Sequence, residues 1–175
     1  PLGTSNGVWS IQTVYSGFAP SFSNTTSANP TVSFNNGGGD VLLKWEVRGS
    51  NPNCTGGASD YQRIRYVPSA NAGQDDFACY DASASPASMV LSANNNTAGT
   101  GSWSIVSQPV GSTASFINAS LPATTITGLI NGAYRLRWTI TDPSGICPAT
   151  TDDVNILVYL GCQTVPLELK TFTAQ

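Results

Sequence analysis

The chain repeats itself, and that constrains its fold more than any local pattern. Gly7-Val8-Trp9-Ser10-Ile11 returns as Gly101-Ser102-Trp103-Ser104-Ile105, 94 residues later. At the same offset of 94, Phe22-Ser23-Asn24 returns as Phe116-Ile117-Asn118 and Thr31-Val32-Ser33 as Thr125-Ile126-Thr127. Lys44-Trp45-Glu46-Val47 then returns as Arg137-Trp138-Thr139-Ile140, and Cys54 as Cys147, both at 93. Matches held in register over this length mean two copies of one structural unit. A period near 90 residues suits an immunoglobulin-like sandwich rather than a short solenoid repeat.

Within each copy the hydrophobic period is two. Tyr134, Leu136, Trp138 and Ile140 alternate with Arg135, Arg137 and Thr139, the pattern of a strand with one buried and one wet face. Val41, Leu43, Trp45 and Val47 repeat it in the first copy, and Val154, Ile156 and Val158 supply the last strand of the second. Residues 88–93, 101–107, 112–117 and 124–129 read as the strands between, divided by Asn, Gly and Pro clusters. Leu129-Ile130-Asn131-Gly132-Ala133-Tyr134 has the spacing of a tyrosine corner. The expectation is an all-β fold of tandem immunoglobulin-like sandwiches: an incomplete unit over 1–68, a complete one over 69–160 and a tail over 161–175.

Composition narrows the chemistry. Charged residues are 10% of the chain, against roughly 25% in an average domain. Histidine is absent, which removes Ser-His-Asp and Cys-His nucleophiles and His-ligated metals. The net charge of -3 has the wrong sign for a phosphate-binding surface, so no nucleic-acid partner is expected. No run approaches 18 apolar residues and no charged segment leads into an apolar one, so neither a membrane span nor a signal peptide is expected in these residues. No cofactor is implied. Asp75-Asp76 and Asp152-Asp153 could lend oxygens to a calcium ion, but neighbours on a strand point to opposite faces, and solvated strand ends are the plainer reading. The sequons at Asn24, Asn53, Asn95 and Asn118 read as surface loops. Four tryptophans invite a carbohydrate-binding reading, yet Trp9 recurs as Trp103 and Trp45 as Trp138, the recurrence of core positions. A glycan platform would instead use Tyr15, Phe18, Tyr61 or Tyr80.

Several runs resemble a known family. Asn71-Ala72-Gly73-Gln74-Asp75 with Cys79, the stretch from Gly99 to Val106, Thr127-Gly128-Leu129, Gly132-Ala133-Tyr134, Arg137-Trp138-Thr139-Ile140, Cys147 and Asp152-Asp153-Val154 resemble the PKD-like, immunoglobulin-like repeats of Bacteroidota surface proteins. The stretch from Val165 to Ala174 is similar to the junction that precedes C-terminal modules in substrates of type IX secretion. The resemblance implies an extracellular, cell-surface location and use as an adhesin, a structural protein or a spacer beside a secreted enzyme. None of these requires catalysis by this segment, so no enzyme is expected, and cell-surface or glycan ligands are the external partners implied.

Cysteines in such a chain should pair. On an immunoglobulin-like layout, Cys79 at the start of the first strand and Cys147 in the last hairpin are expected at one end of the sandwich, and a bridge between them would contribute about 4 kcal/mol. Cys54 is then left without a partner in its own unit, because the chain begins eight residues before Trp9 while the second copy carries about thirty before Trp103. The first copy therefore lacks its first two strands, which leaves backbone edges open. Val165, Leu167 and Leu169, with Phe172 beyond, alternate as a half-buried strand should. From Cys79 to Trp103 is 24 residues, and from Cys162 to Gln175 and on from Pro1 to Trp9 is 22. The tail of one copy is thus expected to enter the first unit of the next, with Cys162 bonding Cys54 of the neighbour; within one molecule the two would stand about 70 Å apart. A linker into a further module is the alternative use of the tail.

Overall fold

The computed structural model describes residues 6–34, 37–49, 57–80, 87–95 and 97–161. Among these residues there are strands and no helix: β1 (Asn6–Gly17), β2 (Ser21–Phe22), β3 (Val32–Ser33), β4 (Gly39–Arg48), β5 (Gly57–Tyr66), β6 (Asp76–Tyr80), β7 (Ala87–Ser92), β8 (Thr100–Ser107), β9 (Ser115–Phe116), β10 (Ala123–Leu129), β11 (Gly132–Thr141) and β12 (Thr150–Leu160). The sequence repeat is a structural one. β2 and β9 lie at the offset of 94 and β4 and β11 at 93, residue for residue.

The C-terminal unit is a two-layer sandwich. A sheet of order β6-β12-β11-β8 packs on one of order β7-β10-β9. Alternation along β11 sends Tyr134, Leu136, Trp138 and Ile140 inward, where they meet Leu91, Ile126 and Leu129 from the other sheet and Val154, Ile156 and Val158 from β12. The tyrosine corner forms: the Tyr134 hydroxyl accepts the Ile130 N–H at 2.8 Å and donates to the Ile130 carbonyl at 3.2 Å, satisfying the turn before β11 from within the core. Gly101 opposes Ile140 on the neighbouring strand, and a Cβ there would stand 2.1 Å from the Trp138 indole, so only glycine lets that ring lie flat on β8.

The N-terminal unit holds the same frame with fewer strands among the described residues. β1, β4 and β5 form one antiparallel sheet and β2 and β3 a short ribbon. Among the described residues nothing corresponds to β6, which covers the edge of β12, or to β7, which pairs with β10. What remains keeps its geometry. Trp9 and Trp45 sit 5.1 Å apart and tilted by 45°, and Trp103 and Trp138 sit 5.3 Å apart and tilted by 47°. Trp9 donates its indole N–H to the Ser27 carbonyl, and Trp103 to that of Pro122. Gly7 lies under Trp45 as Gly101 lies under Trp138. Two sequons also turn out to be repeated turns: the side-chain oxygen of Asn24 accepts the Thr26 N–H, and that of Asn118 the Ser120 N–H, both at 2.9 Å.

The units meet end to end. Gly37 accepts the N–H groups of Thr97 and Ala98, and Arg65 from β5 reaches across to the Ala98 carbonyl at 3.0 Å and to Asp142 just past β11. Arg48 and Gly57, the paired ends of β4 and β5, therefore lie at the far end of the N-terminal unit, and the end of β12 at the far end of the C-terminal one.

Candidate functional site

The open side of the N-terminal unit, beside its tryptophan pair, is the candidate site. In the C-terminal unit Trp103 and Trp138 are 4% and 1% exposed, whereas Trp9 and Trp45 are only half-buried. The core reading of the tryptophans thus holds fully for the second copy, while in the first the same pair borders a cleft of about 240 Å³ lined by Trp9, Ala28, Trp45, Asp60, Tyr61 and Gln62. Val41 and Leu43 remain fully buried deeper in the unit. β5, the strand that would be covered, is exposed from Gly57 to Arg63.

Pairing within each sheet fixes which residues correspond. Trp45 stands opposite Asp60 and Trp138 opposite Asp152; Leu43 opposite Gln62 and Leu136 opposite Val154; Val41 opposite Ile64 and Tyr134 opposite Ile156. In the complete unit Asp152 accepts the Ala72 N–H at 2.8 Å, Thr150 accepts that of Ala70, and β6 then runs parallel to β12 with Asp76 beside Ile156. Among the described residues no strand visits Asp60 in this way. Among the described residues its carboxylate accepts only the N–H of Tyr61, at 2.8 Å. The sequence analysis did not single out Asp60; the signal was the spacing of Asp60 to Ile64, which matches Asp152 to Ile156.

Asp75 and Asp76 are exposed where β6 begins, as solvated strand ends, whereas Asp152 and Asp153 are partly buried and engaged. Asp152 holds the lead-in strand, and Asp153 lies between Arg135 and Arg137, whose guanidinium groups pull it down to about 2, the Arg137 hydrogen bond contributing most. Asp75 accepts the backbone and amide N–H groups of Asn155, and these hold it below the usual carboxylate range. Among the described residues no group of three His, Cys, Asp or Glu is placed to hold a metal ion.

The cysteine pairing requires correction. Cys147 is a free thiol, while Cys79 is disulfide-bonded, so the expected Cys79–Cys147 bridge is not made. The reason is position along the strand: the chain enters beside Thr150 and Asp152 and runs parallel to β12, so Cys79, near the end of β6 rather than its start, stands opposite Tyr159, whereas Cys147 lies in the loop before Thr150. Nine steps along β12 separate the two, about 30 Å at roughly 3.3 Å per residue, against the 7 Å or so a disulfide spans. Cys54 and Cys162 lie outside the described residues, as do Val165, Leu167, Leu169 and Phe172.

The four candidate glycan-stacking residues do not share a face. Tyr15, Phe18 and Tyr61 are exposed on the N-terminal unit, Tyr15 beneath the Arg63 guanidinium at 4.5 Å, while Tyr80 lies at the far end of the other unit and donates to the Ser88 carbonyl.

No protein-family model matches the chain, and no curated protein matches it. Among solved structures it is similar to the PKD domain of the KIAA 1837 protein, with 21% identity, a TM-score of 0.44, and cover of 57% of this chain and 94% of that one. It is also similar to Drosophila N-cadherin EC1-3, at 15% identity and TM-score 0.36, covering 89% of this chain and 56% of that one. The human desmocollin-1 ectodomain matches at 8% identity and TM-score 0.36, where this chain spans 34% of the longer protein.

Proposed function

We propose that this chain is a non-catalytic structural or adhesive building block of an extracellular surface protein, and that its N-terminal unit is completed by a strand supplied by another copy. The observation carrying this reading is the contrast between matched tryptophan pairs: one geometry, sealed in the C-terminal unit and half open in the other. The donor is the segment 161–175, with Val165, Leu167, Leu169 and Phe172 filling the open core and its backbone pairing with the edge of β5. Donor and acceptor lie at opposite ends, so the contact is heterologous and propagates as an open filament. Burying three or four such side chains contributes on the order of 1.5–3 kcal/mol each.

Light scattering over a concentration series tests the assembly. The chain is expected to grow into multimers, and Leu167→Asp with Leu169→Asp to return it to a monomer. A wild-type monomer at every concentration removes strand exchange. A glycan-binding or spacer role beside a secreted enzyme is the rival, and clear glycan-array binding lost on replacing Tyr15, Phe18 and Tyr61 would favour it.

The assembly needs no covalent lock, and the partner of Cys79 is assigned to Cys162 of the same chain. Tyr159 stands opposite Cys79, and the Gly161 N–H donates to the Tyr80 carbonyl at 2.8 Å, so the chain is still beside β6 one residue before Cys162. Arg48 and Gly57, which flank the segment carrying Cys54 in sequence, pair at the other end of the molecule. Peptide mapping without reduction is expected to recover a Cys79–Cys162 peptide; a Cys54–Cys79 peptide would refute the assignment.

A further inference from the structure

We infer that Asp60 is the anchor of this acceptor edge: its carboxylate receives a backbone N–H from the incoming chain and so sets that chain's register and direction. The inference rests on the reading that the N-terminal unit accepts a strand, and adds where the strand is gripped. In the complete unit the corresponding carboxylate, Asp152, accepts the Ala72 N–H at 2.8 Å, four residues before β6 begins to pair. Asp60 occupies the same register position, opposite the tryptophan of the middle strand. It stands at the rim of the cleft beside Trp9, Trp45 and Gln62. A carboxylate grips a peptide N–H with a charge-assisted hydrogen bond, stronger than one between neutral groups.

Gln62 supports a peptide as occupant. Its counterpart Val154 is buried in the complete core, whereas Gln62 is exposed and brings an amide, one donor group and one acceptor, to the same wall. Direction follows from the complete unit. The incoming chain passes Asp60 first and then runs parallel to β5 toward Tyr66, as residues 72–80 pass Asp152 and run parallel to β12. The occupant is the segment 161–175 of a second copy: fifteen residues follow β12, and the complete unit uses nine, from Ala72 to Tyr80, for the same path. A sugar ring would need a flat aromatic face, and Trp9 and Trp45 are instead tilted at 45° in the manner of the sealed pair.

The test titrates a labelled peptide of residues 161–175, carrying Cys162→Ser, into the full-length chain held dilute enough to be monomeric, reading peptide anisotropy and tryptophan emission. The wild-type chain is expected to bind with a blue shift, Asp60→Ala to bind about tenfold more weakly or worse, and Asp60→Asn, which keeps an acceptor oxygen, to fall between them. Asp60 is exposed, so circular dichroism of both variants is expected to match wild type. Equal peptide affinity for wild type and Asp60→Ala overturns the anchor while strand acceptance stands. No binding by the wild-type chain overturns strand acceptance itself. Binding of an oligosaccharide panel in place of the peptide, lost in Asp60→Ala, overturns the assignment of a peptide to this cleft.

Discussion

Arg65→Ala is expected to destabilise the protein by about 3–5 kcal/mol, the cost of leaving buried charges without their partner. Arg65 donates to Asp40 at 2.7 Å and to both oxygens of Asp142, and its side chain is 11% exposed against 3% and 0% for the two carboxylates. Asp40 keeps Arg63, and Asp142 keeps the N–H groups of Ser144 and Cys147, so the variant should still fold. Arg65→Lys should recover little, because one ammonium cannot reproduce a forked contact with two carboxylates and a carbonyl. The pH dependence provides a second readout. Arginine contacts hold both carboxylates below 3.8: the Arg63 hydrogen bond is the largest cause for Asp40, and the Arg65 hydrogen bond for Asp142. A depressed folded pKa adds stability that is present above 3.8 and lost as the pH falls through the folded value. The wild-type junction should therefore hold until strongly acid pH. In Arg65→Ala, where Asp142 loses its main lowering cause, acid unfolding should begin closer to 3.8. Urea midpoints between pH 2 and pH 7 measure both effects, and an unchanged midpoint at neutral pH would show that the bridge between the units contributes no stability.

The second large effect separates the two halves of the repeat. Trp138→Ala empties the centre of a sealed core and is expected to cost about 3–5 kcal/mol. Trp45→Ala, the same substitution at the matching position, is expected to cost about half of that, because the indole already meets solvent and less buried area is lost. Guanidinium unfolding followed by circular dichroism measures the pair. Equal losses would mean that the N-terminal core is as closed as the C-terminal one, and the case for a supplied strand would fail. Tryptophan quenching gives an independent comparison, since Trp9 and Trp45 should be reached by acrylamide and Trp103 and Trp138 should not.

Much of this architecture could be read before any coordinates because its signals are local or periodic. The offset of 94 that joins Trp9 to Trp103 reappears as β2 and β9, the alternation from Tyr134 to Ile140 as one inward face, and the spacing before Tyr134 as a hydroxyl bonded to Ile130. Such features depend on side-chain period and turn chemistry, which a linear sequence states directly. Pairing between distant segments was not legible. Which residues of β12 Cys79 faces decides how far it lies from Cys147, and the alternation within β6 does not state that register. The bridge from Arg65 to Asp142 joins residues 77 apart in sequence that meet only because the two units stack end to end. Asp60 likewise reads as an ordinary surface acid until the pairing of β4 with β5 sets it opposite Trp45, in the place where Asp152 grips the strand that completes its own unit. Sequence determined the repeat and the inward faces of β4, β11 and β12; the tertiary structure decided which edges are covered, because coverage depends on where a distant strand lies and which way it runs.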